Sequence, residues 1–594
     1  MTDVQLDPSQ LDAVEVEPDT RQLVIAGPGS GKTQVVSNLV AHLVDEEGVD
    51  PTDGILVLSF SNAAVHAADA RLRASGGAPV TVQTMDSLAG EIIRDLSDED
   101  VAGLGFDRRI RLATTLLAGE PWDRLDGLEH LVVDEIQDVV GVRADFLLQI
   151  LAALPDDAGF SLLGDPAQGI YDWQLRPENS PLSATTSLEL LATVRRMAGV
   201  SVKELTGQYR ARSRDARKVV AMREAALRGD GNSSLDDFYA GLVPVGDIAS
   251  AVEHARRWSG NTVFLTPNNG QALLTAEAIA ATGDAVEVRR SAHQRVLAQW
   301  IARILADHPM TGITRDEVDK RACEVAPDLD PASIWRALRS VTGGAGREVN
   351  LPVLARGLRR PRPLVPDLIE PMNARFVVST VHRAKGLEFD NVVRLDFPDK
   401  PWLDVDGPDD AESVRAMFVA LSRARDVIVR GDGPDDRRLR ASAGRSGRWY
   451  LSGWKPGTKL GYQFKVDDLD RAEPPGVDKV ATQIHIAQDV RPGDPLRFEL
   501  DLTRSTLALP FWNLLHDGYV VGRSSLEFGE GFARWLGPRD RAKVPWPRIT
   551  GARVESIATV SGETQRGAVG RHGLWLSPVC SGMLRFDWSG DRDD

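Results

Sequence analysis

The octapeptide Ala26-Gly27-Pro28-Gly29-Ser30-Gly31-Lys32-Thr33 constrains this chain more than any other stretch. Its glycines let the backbone close around a polyphosphate with N–H groups pointing inward. Lys32 is placed to reach the β- and γ-phosphates, and the Thr33 hydroxyl can hold Mg²⁺. The flanks fit the same geometry. Leu23-Val24-Ile25 reads as a buried strand, and the apolar spacing from Lys32 to about Glu46 reads as a helix, so the loop sits at a helix N-terminus, where the dipole favours anions. The first position is Ala26 instead of Gly, so the loop alone does not decide the matter. Further along, Leu131-Val132-Val133-Asp134-Glu135-Ile136-Gln137-Asp138 supplies what is missing: an apolar strand that ends in a carboxylate pair. Hydrolysis of a polyphosphate needs a metal-holding acid and a base that orients water, and the pair Asp134-Glu135 can supply both. Four polar residues closing a buried strand without such a task would leave unpaired charges in the interior.

The 594 residues suffice for several domains, each with its own core. Hydrophobic residues at 42% and charged residues at 26% describe a globular protein. No apolar run approaches the ~20 residues of a membrane span, and the opening MTDVQLDPSQ has no signal-peptide pattern, so a cytoplasmic chain with no membrane partner is expected. Cys323 and Cys580 are far apart and form no metal-ligand spacing. A net charge of −16 speaks against a polyanionic partner until its distribution is considered. Residues 1–200 carry 13 basic and 33 acidic side chains, so the excess is confined there and the remainder sums to +4. A strand can still be gripped by local cations while the outer face stays acidic.

Runs such as LVIAG, ILVLSF, HLVVDE and FSLLGD alternate with helical stretches over residues 1–200, which predicts an α/β domain on a parallel sheet, with a short insertion at about 90–127. A second α/β domain is expected from 201–285 and 375–430, interrupted by a mainly helical subdomain at 286–374. Residues 431–594 change character, with short β-like runs between Gly/Pro turns and seven of the thirteen tryptophans, and predict a β-rich domain. Within it, DDRRLRASAGRSGRWYLSGWKPGTK (435–459) mixes Arg with Trp449, Tyr450 and Trp454. That stretch reads either as a nucleic-acid platform or as a basic linker into a domain whose aromatics are core.

Further segments follow in a fixed order: LDPSQLDAV, SFSNAAV (59–65), TMDSLA (84–89), LLGDPAQGIYDW (162–173), ELTGQYRARS (204–213), STVHRAKGLEFDNVV (379–393) and FVALSRARD (418–426). With the two segments above, they resemble a superfamily 1 DNA helicase of the UvrD/Rep/PcrA kind over roughly residues 5–427. The resemblance implies two RecA-like P-loop domains with ATP and Mg²⁺ between them. On the nucleotide it sets Gln10 and Tyr209 at the adenine, residues Ala26 to Thr33 at the phosphates, and Glu388 near the ribose. Thr33 and Asp134 hold the metal and Glu135 is the base. Gln168, Arg210 and Arg423 sense or stabilise the γ-phosphate, Arg423 as the arginine finger. For DNA it implies Phe60, Asn62, Thr84, Tyr171, Trp173, Thr380 and His382. Aromatic faces suit a motor that does not read sequence, because every base has a face to stack on.

The chain departs from that pattern in places. Ala63 stands where the family has Lys, Asp86 where it has His, and Gln208 where it has Asn, and both accessory insertions are short. Residues 431–594 contain no convincing nuclease site. The expected activity is an ATP-dependent DNA helicase or single-strand translocase, moving 3′ to 5′ as the resemblance implies, on single-stranded or tailed duplex DNA. The alternative is a DNA-stimulated ATPase subunit of a repair or phage-defence complex that regulates a partner nuclease.

Overall fold

The structure, a computed structural model, describes residues 5–59, 80–99, 103–176, 181–228, 234–289, 295–343, 346–360, 364–371, 374–397, 411–442, 447–455, 457–537 and 546–587. Phe60 and Asn62, expected to touch DNA, and Ala63 lie outside the described residues. The chain divides into two compact units: Met1–Pro244 with Val381–Arg394 and Trp402–Arg430, and Val245–Thr380 with Leu395–Pro401 and Gly431–Asp594.

In the first unit, β1 (Arg21–Ala26), β2 (Ile55–Ser59), β3 (Thr81–Thr84), β4 (His130–Asp134), β5 (Gly159–Gly164) and β6 (Ser201–Leu205) form a sheet in the order β3-β2-β4-β5-β1-β6. Every neighbouring pair is parallel. The apolar runs are continuous instead of alternating because both faces are covered. Leu23, Ile25, Leu56, Leu58, Leu131, Val133, Phe160 and Leu162 meet the helices Met85–Leu96, Phe106–Gly119 and Val142–Ala153 on one face. Val24, Val57, Val132 and Leu163 meet the helix Lys32–Asp45 on the other. Parallel strands put all their carboxyl ends on one edge, so the loops after β1, β4, β5 and β6 converge there.

The second unit carries another parallel sheet. In it β11 (Phe376–Thr380) lies between β7 (Thr262–Thr266) and β8 (Val286–Val288), with Val378 opposite both Phe264 and Val288. The chain between them folds as helices Gln299–Leu305, Arg315–Val325, Pro331–Thr342 and Leu351–Arg359, with β9 (Gly312–Thr314) and β10 (Glu348–Asn350) paired antiparallel. Each of the last three helices starts where the sequence offers a cap: Thr314 with Glu317 in a capping box, Asp330 before Pro331, and Asn350 before Pro352. Their apolar faces close around Trp300, Ile301, Leu305 and Leu354. The strands β12 (Phe389–Asp396) and β13 (Ala424–Asp432) follow in sequence and lie mostly within the later segments of the first unit, where Phe389 N–H donates to the Arg423 carbonyl.

From residue 439 onward the described strands are β14 (Leu439–Ala441), β15 (Trp449–Ser452), β16 (Lys459–Phe464), β17 (Arg497–Leu500), β18 (Trp512–His516), β19 (Tyr519–Arg523), β20 (Arg548–Thr550), β21 (Arg553–Ser561) and β22 (Leu574–Asp587). They run antiparallel in the order β14-β15-β16-β22-β20-β17-β18-β19, with β21 on β22. Their core is aromatic. Trp512 meets Phe532 edge-on at 5.1 Å, and Phe464 meets Phe528 at 4.9 Å. Among the described residues, no helix is long and apolar enough to cross a membrane.

At the opposite edge of the first sheet His130 is fully buried, and burial pushes its ring down to about 4 despite the Pro18 carbonyl beside it. Gln22 donates to Ser161 Oγ at 2.8 Å, Ser161 lies 2.8 Å from His130 Nε2, and Nδ1 lies 2.7 Å from the Pro18 carbonyl. The Pro18 carbonyl can only accept, so Nδ1 carries the proton, and in the neutral ring that burial favours Nε2 accepts from Ser161. The unfolded ring takes up its proton near 6.5, so between pH 6.5 and 4 the unfolded state binds more protons. The contribution of the neutral ring is whole above 6.5 and is lost as the pH falls towards 4, by an amount on the order of 3 kcal/mol. The melting temperature should therefore fall on acidification below pH 6.5, and His130→Gln should flatten that fall. The same acid sensitivity in both proteins would contradict the assignment.

Candidate active site

The loop after β1 turns through Gly29 (φ 78°) and Gly31 (φ 82°), and Gly31 caps the helix that begins at Lys32. Side chains could not replace these hydrogens. A Cβ on Gly29 would stand 2.5 Å from Arg210 Cβ and from Gln208 Oε1, and one on Gly31 would stand 2.3 Å from Gln10 Nε2. The loop is thus closely held by residues arriving from elsewhere in the sequence. Ser30 closes it internally, its hydroxyl donating to the Gly27 carbonyl at 2.9 Å. Gln10 donates to the Ser30 carbonyl at 3.0 Å and accepts the Asp7 N–H at 3.0 Å. Gln208, one methylene longer than the Asn of the family pattern, donates to the Pro28 carbonyl at 2.7 Å and accepts from the Arg210 and Ala211 amides at 2.7 and 3.0 Å.

Lys32 reaches from its helix to the end of β4, with Nζ 2.5 Å from both Asp134 Oδ1 and Glu135 Oε1. Burial pulls the ammonium down, but the two carboxylates outweigh it and hold Lys32 above its ordinary value. Burial raises Asp134, with the Glu135 charge adding to the rise. Glu135 itself is held below the usual range, because Lys32 and Lys385 overcome its burial. Glu135 has φ 58° and ψ 42°, a left-handed backbone unusual for a side chain of this size. The residue is one of two non-glycine positions with positive φ among those described, and the sequence carries no signal for it. The turn brings Gln137 back towards β5. Its amide nitrogen donates to Glu135 Oε2, and its oxygen accepts the Asp165 N–H at 2.9 Å.

After β5 the chain passes through Asp165 and Gln168. Gln168 Nε2 donates to Asp165 Oδ2 at 2.8 Å, and its Oε1 accepts from Arg423 at 2.8 Å. Arg423 is buried, with its guanidinium also on the Val419 carbonyl at 3.0 Å and Ser422 Oγ at 3.0 Å. Burial and then the nearby Arg210 push it down to about 9, which leaves it cationic at neutral pH. Arg210 is bound to Glu388 at 2.7 Å, and Arg425 to the same carboxylate at 2.8 Å. Glu388, expected near a ribose, thus holds both Arg210 and Arg425 through one carboxylate. Tyr209 is 58% exposed, with its hydroxyl on Asp7 at 2.6 Å, so one face of its ring is open beside the loop.

Three residues beyond Gln168, Tyr171 lies 5.9 Å from His382, and Trp173, 39% exposed, lies 6.1 Å from the same imidazole. Burial lowers His382, so it is neutral at physiological pH. Lys385 ties this aromatic group to the acidic edge. Its ammonium bonds Asp138 and the Gln168 carbonyl and lies 5.3 Å from the Tyr171 ring centre. Burial pushes Asp138 up to about 6, against the pull of Lys385. Thr380 is buried at the end of β11. Thr84 caps the helix Met85–Leu96, its Oγ1 accepting from Ser87 N–H at 3.2 Å. Asp86 is paired with Arg143 at 2.8 Å, and Arg143 also holds Asp107 at 2.9 Å, so the carboxylate that replaces the family's His has a partner within the fold.

The oxygen donors of Thr33 and Asp134 suit a hard cation such as Mg²⁺, and the glycine loop leaves room only for backbone amides to face a phosphate. Several residues of the network lay outside the sequence-derived site residues, Lys385 and Arg223 among them. Lys385 stood inside the quoted A-K-G-L-E-F stretch and was legible there. Arg223 has no pattern around it, yet its Nε is 2.7 Å from Asp165 Oδ1, where the carboxylate is 1% exposed. Removing the cation of a buried pair costs ~3–5 kcal/mol. Arg223→Ala should lower the melting temperature and cut ATP turnover at least about tenfold by freeing Asp165 and hence Gln168, with Arg223→Lys retaining most of both. Unchanged turnover in Arg223→Ala would show that Asp165 does not hold Gln168.

A family model described as the UvrD/REP helicase N-terminal domain matches residues 6–116. Over 90 residues the chain is 33% identical to the ATP-dependent DNA helicase PcrA of Staphylococcus epidermidis, a match covering 15% of this chain and 12% of that one. Over 113 residues it is 31% identical to PcrA of Bacillus subtilis, covering 18% of this chain and 14% of that one. A crystal structure of Pif1 helicase from Bacteroides in complex with ADP-AlF3 and ssDNA aligns with 72% of this chain and 92% of its own at 15% identity, with a TM-score of 0.32 that lends the likeness no weight. Residues 6–116, with the loop and strands they contribute to this site, are thus similar to the N-terminal domain of UvrD/REP helicases, and the matches to the two PcrA proteins span only a small part of their length.

Proposed function

We propose that this chain is an ATP-driven DNA motor, a helicase or single-strand translocase moving 3′ to 5′. The observation that carries the reading is the segment 165–173. Its Gln168 is bonded to Asp165 and Arg423, and its Tyr171 and Trp173 stand beside His382. On this reading one short segment links the nucleotide to the DNA strand. The loop amides, Lys32 and Thr33 hold the phosphates, and Tyr209 and Gln10 flank the base. Glu135 takes a proton from the attacking water, and Arg210 and Arg423 meet the charge that develops on the γ-phosphate. Thr33 and Asp134 would hold Mg²⁺, which when bound would supply Lewis-acid stabilisation of the phosphate oxygens. Lys32 shifts from Asp134 and Glu135 to a phosphate, which frees Glu135 to act as a base. A change at Gln168 reaches Tyr171 and Trp173 through Lys385, which bonds Asp138 and the Gln168 carbonyl. Phe60, Asn62, Thr84 and Thr380 belong to the same proposed DNA path.

A second reading, a DNA-stimulated ATPase within a repair or defence complex that regulates a nuclease, is favoured by one observation. Asp86 is committed to Arg143 at a position where the family presents a strand contact. Strand displacement on 3′-tailed and 5′-tailed duplexes separates the two. Unwinding of the 3′-tailed substrate alone supports an autonomous helicase, and DNA-stimulated hydrolysis without displacement supports the second reading. Lys32→Ala should abolish ATP turnover, whereas Glu135→Gln should keep ATP binding and lose at least about a hundredfold in turnover. Normal hydrolysis in either variant would overturn the site assignment.

A further inference from the structure

The basic, aromatic stretch 435–459 separates in the structure into a buried part and an exposed part. Leu439 and Leu451 face each other across β14 and β15, and both are buried. Trp449 packs so closely on the helix Asn269–Ala281 that a Cβ on Gly270 would stand 2.4 Å from its ring. Tyr450 meets Trp535 at 5.6 Å, and Arg448 is buried against Asp468 at 2.6 Å. Those residues belong to the core. Trp454 does not: it is 68% exposed in the turn after β15. Arg438 lies over its ring at 4.9 Å and Arg437 at 5.8 Å. Arg440 and Lys455 are exposed beside them. The nearby carboxylates are already engaged. Asp435 is held by Arg437 at 2.7 Å, and Asp436 accepts from Gln271 at 2.8 Å.

We propose that Trp454, with Arg438, Arg440 and Lys455, is a second DNA-contact surface, separate from the aromatic group beside the nucleotide, and that it takes a single strand. The guanidinium set over one face of the exposed indole leaves the other face for a base. Stacking on an indole is indifferent to sequence, and cations spaced along the same edge suit phosphates in the same way. The charge distribution agrees, because the acidic excess lies in residues 1–200 and the stretch 435–459 carries seven basic and two acidic residues. A protein partner would more often meet an apolar patch than a lone indole ringed by cations. The surface acts without ATP and does not depend on the motor reading.

The test is the anisotropy of a short fluorescein-labelled oligo(dT) titrated with the full chain, without nucleotide, over a series of salt concentrations. Trp454→Ala should weaken binding roughly 5- to 100-fold, with Trp454→Phe keeping most of the affinity. Arg438→Ala should lower the slope of log affinity against log salt by about 0.7, the value for one phosphate contact on a single strand. DNA-free ATP hydrolysis should be unchanged in all three, since none lies at the nucleotide site. Wild-type affinity and slope in both Trp454→Ala and Arg438→Ala would overturn the proposal. Affinity lost in Trp173→Ala but intact in Trp454→Ala would sink this surface and leave the motor reading standing. No binding by the wild-type chain would sink both. Tighter binding of oligo(U) than of oligo(dT) would overturn the assignment to DNA.

Discussion

The buried ammonium of Lys32, shared by Asp134 and Glu135, is the interaction on which the rest of the site depends. Two carboxylates side by side at a strand end repel each other and lose solvation, and they are tolerable only with a cation between them. The cation comes from the first residue of the helix after the glycine loop, so the loop must bring Lys32 across from β1 to β4. That requirement links the features already described: the left-handed turn at Gly31, the fully covered parallel sheet that aligns the strand ends, and the unusual backbone of Glu135. A site built this way is poised for exchange. On the proposed reading, an anion that draws Lys32 away also frees Glu135 to act as a base.

Around that centre the polar side chains form one connected set instead of isolated pairs. Gln137 joins Glu135 to the Asp165 amide, Asp165 joins Arg223 to Gln168, and Gln168 joins Asp165 to Arg423. Nearly all are buried, where an unmet hydrogen bond is expensive, so a shift in one member is passed on to the next. Lys385 extends the set to Tyr171, and Arg415 grips the same segment through the Gly169 carbonyl at 2.6 Å and Asp172 at 3.2 Å. This arrangement gives a physical form to the proposed coupling between hydrolysis and an aromatic surface. A small change of hydrogen bonding at Gln168 has few ways to relax except through the residues that follow it.

The parts of the fold and site that were legible in the sequence share one property: they are local. The glycine loop, the apolar strand ending in Asp134-Glu135 and the run from Asp165 to Trp173 each carry their meaning within a dozen residues. The β-rich character of residues 431–594 was equally readable from short runs between turns. What escaped depends on pairings between distant positions. Nothing near Arg223 marks it as the partner of Asp165, and Asp86 reads as a lost contact until Arg143 is seen beside it. The placement of β22 between β16 and β20 is fixed by packing over long sequence separations, which alternation alone cannot specify. The stretch 435–459 was ambiguous for the same reason. Only the fold shows that Trp449 and Tyr450 turn inward while Trp454 faces water.

Arg423 is proposed to act on the phosphate chemistry from its place beside Gln168, to which it donates a hydrogen bond. Single-turnover hydrolysis and fluorescent-ATP binding, measured on Arg423→Ala and Arg423→Lys, test it most directly. ATP binding should stay within a few-fold of wild type in the folded variants, and hydrolysis should be slower by roughly 10³-fold or more in Arg423→Ala if it is an arginine finger. Hydrolysis at the wild-type rate in both variants would contradict it.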